Sequence, residues 1–166
     1  TNGQRDSRHS FAHLQLARPE DVQRLGELGM SVHTSPYWMN LDDYFWKLNL
    51  PYLGHERAFN QQYPLNSLFK AGANVTIASD FWVSEPKPLV AIYGGMTRQM
   101  SQAEFESEYG SESDFKRVSD PHAKLQEGDL GVLPPFEERA SLENMLVAST
   151  LNGAYANFLE KELGSI

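Results

Sequence analysis

Two polar residues stand where strand-like stretches run into loops: His13 in FAHLQL and Asp80 in VTIASDFWV. A neutral imidazole binds divalent metals, and a carboxylate can both bind a metal and take a proton from a water that the metal acidifies. In a parallel α/β barrel the chemistry is built at the C-terminal ends of the strands, because the loops that follow them shape the pocket. His13 and Asp80 both occupy that kind of position. The plainer alternative makes His13 a hydrogen-bonded core histidine and Asp80 the cap of the next element. One His and one Asp, far apart in sequence, leave both readings open.

Composition narrows the chemistry. The 166 residues include no cysteine, so a disulfide scaffold, a thiolate zinc site and a Cys nucleophile are excluded, and any metal must be held by His, Asp, Glu or a modified Lys. A net charge of −8 without a Lys/Arg cluster argues against nucleic acid and anionic membranes as partners. With 40% apolar and 11% aromatic residues the chain is too apolar for disorder, yet no run approaches the roughly 18 apolar residues of a membrane helix. The opening TNGQRDSRHS lacks the pattern of a signal peptide, which makes a cytoplasmic location the default expectation. There is no GxGxxG, GxxxxGK[ST], HExxH or GxSxG, so the dinucleotide, P-loop, zincin and serine-hydrolase readings lack their signatures.

The elements that must position His13 and Asp80 read as alternating strands and helices. Phe11 to Leu16 alternates as a strand does. RPEDVQRLGELG follows as a helix, with Pro19, Glu20 and Asp21 in its first turn, Val22, Leu25 and Leu28 on one face, and Gly29 as its stop. MSVHTSP is the next strand, ended by Pro36, and YWMNLDDYFWKLNLPYLG reads as a loop with a short helix. YPLNSLFKAGA reads as a helix ending near Gly72, and NVTIASD as a β-branched strand ending in Asp80. Residues 102–135 read as a long polar surface excursion. A final helix is predicted from an N-cap at Ser141 through Leu142, Met145, Leu146, Tyr155, Phe158, Leu159 and Leu163 to Gly164. Alternating β and α elements imply a parallel sheet with helices outside it.

Read in order, RHSFAHLQLARPEDVQRLGELG, SPYW, GHER, LFKAGANVTIASDFWV, MTR and SLENMLVASTLNGAYA resemble the C-terminal half of the amidohydrolase superfamily. The resemblance is to the branch called amidohydrolase family 3, the YtcJ-like metal-dependent hydrolases, and it spans most of the chain outside residues 102–135. It implies a single partial domain over residues 1–166: about the last three βα units of a TIM-type (β/α)8 barrel. His13 then matches a metal ligand on strand six. Asp80 matches the aspartate at the end of strand eight, a metal-linked general base. Ala12, Ser35 and Ala78 stand where the family usually has Glu, Gln and Gly.

The resemblance further implies a divalent metal, zinc first, and hydrolysis of C–N bonds in small amide-type substrates through a metal-activated water. The family's His-x-His pair, carboxylated lysine and strand-five histidine fall upstream of the match, so a piece with little activity alone is expected. The alternative is a non-catalytic half-barrel that pairs with copies of itself or with the missing N-terminal half. Arg57 in GHER and Arg98 in MTR match family arginines that bind a substrate carboxylate or lock a loop.

The remaining candidates come from the residues alone. His33, on the second strand, is a further candidate for the same pocket. Tyr37, Trp38, Tyr44, Phe45 and Trp46 follow a strand end and either line a hydrophobic substrate pocket or are buried, with Trp38 the leading pocket candidate. His9, His55, His122 and the acidic run from Glu104 to Asp114 read as solvated.

Overall fold

Three β-branched or small-residue segments pair as a parallel sheet in the computed structural model, which describes residues 5–110, 117–118 and 130–165. Strands β1 (Ser10–Ala12), β2 (Ser31–Thr34) and β3 (Asn74–Ile77) lie in sequence order. Their register pairs Phe11 with Val32, Ala12 with His33, His33 with Thr76 and Thr34 with Ile77. Parallel neighbours need a crossover, and helices supply it. Helix α1 (Pro19–Glu27) joins β1 to β2, while α2 (Leu50–Asn60) and α3 (Leu65–Lys70) lie between β2 and β3.

Alternation along β2 and β3 divides the sheet into two faces. Val32 and Val75 are fully buried in a core shared with Val22, Leu25, Leu65, Leu68 and Met145. The other face carries Ser31, His33, Asn74 and Thr76, joined in pairs: Asn74 Nδ2 donates to Ser31 Oγ at 2.9 Å, and His33 Nδ1 lies 2.6 Å from Thr76 Oγ1. This matches the expected α/β class with a parallel sheet.

Several elements depart from the sequence expectation for local reasons. Strand β1 stops at Ala12 rather than Leu16, because the backbone turns left-handed at His13 (φ 66°) and Leu14 (φ 42°). Leu16 instead makes an isolated antiparallel bridge to Gln62. Leu28 falls past the end of α1 and is exposed, leaving Val22 and Leu25 as its buried face. The aromatic stretch is more helical than predicted: a 3-10 turn at Pro36–Trp38, then a π-helical turn at Phe45–Asn49 that runs into α2.

A helix not expected from the sequence, α4 (Pro88–Thr97), packs against that 3-10 turn. Gly94 permits the approach, since a Cβ there would lie 2.4 Å from the Pro36 carbonyl oxygen. The predicted excursion opens with another helix, α5 (Gln102–Tyr109), closed by a capping box between Ser101 and Glu104 and anchored by buried Phe105. Further along, β4 (Arg117–Val118) pairs with β5 (Leu130–Gly131), and Val132 and Leu133 are buried. His122 and the acidic residues at 111–114 lie outside the described residues.

The single C-terminal helix expected from Ser141 is two helices, α6 (Leu142–Ser149) and α7 (Leu151–Ala156). Ser149 and Thr150 hydroxyls donate back to the Met145 and Leu146 carbonyls, a pattern that bends helices, and Thr150 leaves the helical region altogether. The break lets Asn152 Nδ2 donate to the Val75 carbonyl at 2.9 Å, tying α7 to β3. Of the residues read at helical spacing, Met145 is buried, while Leu142, Leu146, Tyr155, Phe158, Leu159 and Leu163 are exposed. No helix among the described residues is long and apolar enough to cross a membrane.

Arg98 closes the fold from within. Its side chain is fully buried and donates to four carbonyls: Leu133 at 2.8 Å, Tyr63 at 2.9 Å, Gln62 at 3.0 Å and Pro134 at 3.2 Å. Burial pulls its pKa down to about 10. Of the two roles expected for this arginine, the geometry fits loop locking: among the described residues its hydrogen bonds run to backbone carbonyls, and the side chain has no exposed surface. Arg98→Leu should lower stability by on the order of 3 kcal/mol, because buried carbonyls lose charge-assisted partners. Chemical denaturation of the variant beside Arg98→Lys checks this, with lysine recovering only part of the loss.

Candidate functional site at the strand ends

Parallel register brings the residues that follow β1, β2 and β3 to one edge of the sheet. His13 comes directly after β1, Ser35 directly after β2, and Asp80 three residues beyond β3. His13 N donates to the His33 carbonyl at 2.7 Å and Ala78 N to the Thr34 carbonyl at 2.8 Å, so the pairing continues one residue past the strands on both sides of β2. The side chains then converge. His13 Nδ1 lies 3.1 Å from Ser35 Oγ, and His13 Nε2 lies 3.7 Å from Asp80 Oδ2. A hydroxyl can donate or accept, so Ser35 fixes the ring orientation in either tautomer.

The His13 imidazole also packs on Trp38, with centroids 5.0 Å apart and planes tilted by 35°. The Trp38 indole N–H donates to Ser84 Oγ at 2.9 Å, so the ring is held from both sides. The His13 and Asp80 side chains remain 37% and 43% exposed, accessible to a small ligand. Both residues have left-handed backbone, with φ of 66° and 53°. Such conformations are sparsely populated by non-glycine residues and persist where the surroundings hold them, as the His33 carbonyl holds His13 and a turn from Asp80 O to Val83 N holds Asp80.

The other sequence candidates separate. His33 faces Thr76 on the polar side of the sheet, and burial lowers its pKa. It meets His13 through its backbone carbonyl, and no side-chain bond to Asp80 is found among the described residues. Arg57 is exposed on α2, in a surface depression with Gln61, Leu16 and Asp21, apart from the strand-end cluster. Phe45 and Trp46 are buried against Phe59, with centroids 4.9 and 6.1 Å from it, while Tyr44 is exposed. Trp38 and Tyr37 do line a cavity, a groove of about 600 Å³ between the 3-10 turn and α5.

Two residues of that groove escaped the sequence reading. Asn40 is buried, and Asp42 accepts a hydrogen bond from Phe45 N at 2.8 Å. Burial pushes the Asp42 carboxyl up to about 6, against the pull of the Phe45 and Tyr44 amides, and neighbouring Glu108 and Asp43 push the same way. NLDDYF reads as a turn with two acids, and nothing local marks one of them as buried.

The sign of the pH effect follows. The folded chain holds the Asp42 proton up to about 6 against an ordinary 3.8, so between these values the folded state binds more protons than the unfolded one. The contribution of this group to stability is greatest when it is protonated and declines as pH rises across that window. Asp42→Asn keeps an acceptor for Phe45 N and should remove the decline. Chemical denaturation from about pH 4 to pH 7 measures the difference in slope between the two proteins.

The amidohydrolase family model matches residues 1–166. Protein LONG AFTER FAR-RED 3 of Arabidopsis thaliana is 28% identical over 165 residues, which are 99% of this chain and 23% of that protein. Two crystal structures of uncharacterized metal-dependent hydrolases share the fold. The one from Pyrococcus furiosus has a TM-score of 0.59 at 19% identity, covering 94% of this chain and 25% of its own. The one from Pyrococcus horikoshii OT3 has a TM-score of 0.60 at 13% identity, covering 96% and 26%. The chain thus spans about a quarter of the length of each of these relatives. With a match over its whole length, the chain belongs to the amidohydrolase family.

Proposed function

We propose that this chain is an arc of a (β/α)8 barrel, about its last three βα units, contributing His13 and Asp80 to the centre of a metal-dependent hydrolase of C–N bonds in small amide-type substrates. The observation that carries the reading is the convergence of His13 and Asp80 just beyond the C-terminal ends of β1 and β3. That is the end of a parallel barrel where catalytic groups collect. Family membership supports the reaction class, and the metal-dependent relatives support a divalent ion.

An imidazole nitrogen and a carboxylate oxygen suit a borderline ion such as zinc. They form part of a ligand set: a catalytic site takes about three protein ligands, and among the described residues no group of three His, Cys, Asp or Glu side chains is placed to hold a metal. The remaining ligands are assigned to the longer protein of which relatives four times this length are examples. Alone, these residues should hold metal weakly and turn over little substrate.

When bound, the ion supplies Lewis-acid polarisation and lowers the pKa of a coordinated water. The chain's own residues do the rest. Ser35 and Trp38 hold the His13 ring in its plane, leaving Nε2 facing Asp80. The Asp80 carboxylate accepts the proton of the attacking water and returns it to the departing nitrogen as the C–N bond breaks. Trp38 offers the substrate an apolar wall beside the carboxylate. In the longer protein Asp80→Asn should lower kcat about 10²- to 10⁴-fold with little change in KM, measured by amine release from an amide panel. Full activity in that variant would overturn the assignment.

A second reading, a non-catalytic half-barrel that self-associates, is favoured by the open sheet edge. All three residues of β1 are exposed, Phe11 at 47%. Unpaired strand edges invite pairing with another chain. Light scattering of the 166-residue chain, with its zinc content, tests this reading: a stable oligomer that holds no metal supports the module, and a monomer contradicts it.

A further inference from the structure

The segment that carries β1 buries almost none of its own side chains. Of residues 5–12 all are exposed except Arg8, and among the described residues β1 pairs on one side only, with β2. Arg8 differs sharply from its neighbours, with a side chain only 6% exposed. It reaches to the turn that follows α7, 147 to 152 residues away in sequence. That turn lies under the start of the sheet, since the Asn152 carbonyl of α7 accepts from Asn74 Nδ2, at the first residue of β3, at 3.3 Å. The contact therefore spans the end of the sheet opposite to His13 and Asp80.

The surroundings of Arg8 match a guanidinium group in charge, fork geometry and ring contact. Nη1 and Nη2 donate to the two carboxylate oxygens of Glu160 at 2.8 Å each, and Nη1 donates also to the Tyr155 carbonyl. Nε and Nη2 donate to Asp6 at 3.0 and 2.8 Å. The guanidinium carbon lies 3.8 Å from the centre of the Tyr155 ring and 4.2 Å from that of Phe158. Bidentate carboxylate pairing and ring contact favour a planar guanidinium over a compact ammonium. The bond from Arg8 holds the Glu160 carboxyl down to about 2 and lowers Asp6 as well, so both are ionised at neutral pH. Both partners of the contact have left-handed backbone, Arg8 with φ 46° and Phe158 with φ 62°. At Phe158 this closes a helix end: Leu159 N donates to the Ala154 carbonyl at 2.9 Å and Phe158 N to the Tyr155 carbonyl at 3.0 Å, and glycine ordinarily takes the left-handed place in that pattern. Such conformations in larger residues persist where the surroundings hold them.

We propose that the turn after α7 is a guanidinium receptor and that Arg8 fills it as a strap, anchoring β1 on the sheet so that His13, at the strand's other end, meets Ser35 and Asp80. The strap stands apart from the hydrolytic reading; only its value to the metal site rests on that reading. With the strap in place β1 is fixed at both ends. Before the strand, the His9 carbonyl accepts from Ser31 N at 2.9 Å beside the Arg8 anchor; after it, His13 N donates to the His33 carbonyl at 2.7 Å. Arg8 is thus a positioning residue, acting on His13 through the strand.

Amide hydrogen exchange in the metal-free 166-residue chain at neutral pH tests the strap. Two N–H groups report on the attachment of β1, Ser31 bonded to His9 and His13 bonded to His33, and Ala78, bonded to Thr34 on the other side of β2, is the control. Arg8→Ala is expected to speed exchange at Ser31 and His13 about tenfold or more while Ala78 stays within about twofold, and to shift the His13 ring resonances. Millimolar ethylguanidinium, filling the vacated receptor, should restore the rates and the resonances, whereas ethylammonium, which lacks the fork, should not. Glu160→Gln leaves residues 5–12 unaltered and should speed the same two amides about three- to tenfold, so it carries the test even where Arg8→Ala does not fold. Unchanged exchange at Ser31 and His13, an equal rise at Ala78, or no rescue by ethylguanidinium would overturn the proposal. Because the readout needs no metal, failure of the strap is distinct from failure of the metal site, which the zinc content of the wild-type chain reports.

Discussion

Everything at the strand ends depends on the register of three short parallel strands. Because β1, β2 and β3 pair in sequence order with Ala12 beside His33 and His33 beside Thr76, the chain leaves the sheet three times along one edge. A slip of one residue would reverse every side chain and send His33 into the apolar core in place of Val32. What pins the register is the split between the two faces. Val32 and Val75 are buried with α1, α3 and α6 residues, and the Ser31–Asn74 and His33–Thr76 pairs bond across the opposite face. Side-chain chemistry on both faces therefore supports one alignment.

From that frame the backbone does the last of the positioning. A regular strand through His13 would have directed its imidazole by simple alternation. Instead, the backbone is left-handed at His13, Leu14 and Asp80, and the His13 and Asp80 side chains approach each other. Non-glycine residues in this region cost about 1 kcal/mol or more apiece. The His33 carbonyl, Ser35 and Trp38 on one side and the Asp80–Val83 turn on the other hold the arrangement against that cost. Arg98, on the far side of α4, performs the complementary service of tying residues 62–63 to 133–134. With Gly94 against Pro36, α4 thereby fixes the turn that carries Trp38.

What could be read in the residues was what local pattern encodes. The proline, acids and glycine around α1, the β-branched runs of β2 and β3, and the Ser141 cap all lie where their side chains imply. His13 and Asp80 were legible as polar residues at strand ends, and the ordered series of short matches joined them to one family. Less legible were features decided by distant partners. The division of the last helix follows from hydroxyls bonding back to the helix and from Asn152 reaching β3, which no periodicity shows. Helix α4, with two glycines inside it, offers a poor helical signal and forms because its small residues allow close packing on Pro36 and Met145. Asn40 and Asp42 likewise share a groove with α5 residues that stand some sixty positions later in the sequence, which no local pattern shows. The residues left Arg98 open between a substrate carboxylate and a loop to lock; the four carbonyls that converge on it, from two distant segments, become visible only in the fold.

In the proposed site His13 and Asp80 act together on one metal ion. Elemental mass spectrometry after equilibration with zinc, on the wild-type chain beside His13→Ala and Asp80→Ala, tests it most directly. The account predicts zinc retained by the wild type, weakly and at no more than about one equivalent for a single shared ion, and lost in both variants while the far-ultraviolet circular dichroism stays unchanged. Zinc retained equally in all three proteins, or lost in one variant and kept in the other, would contradict it.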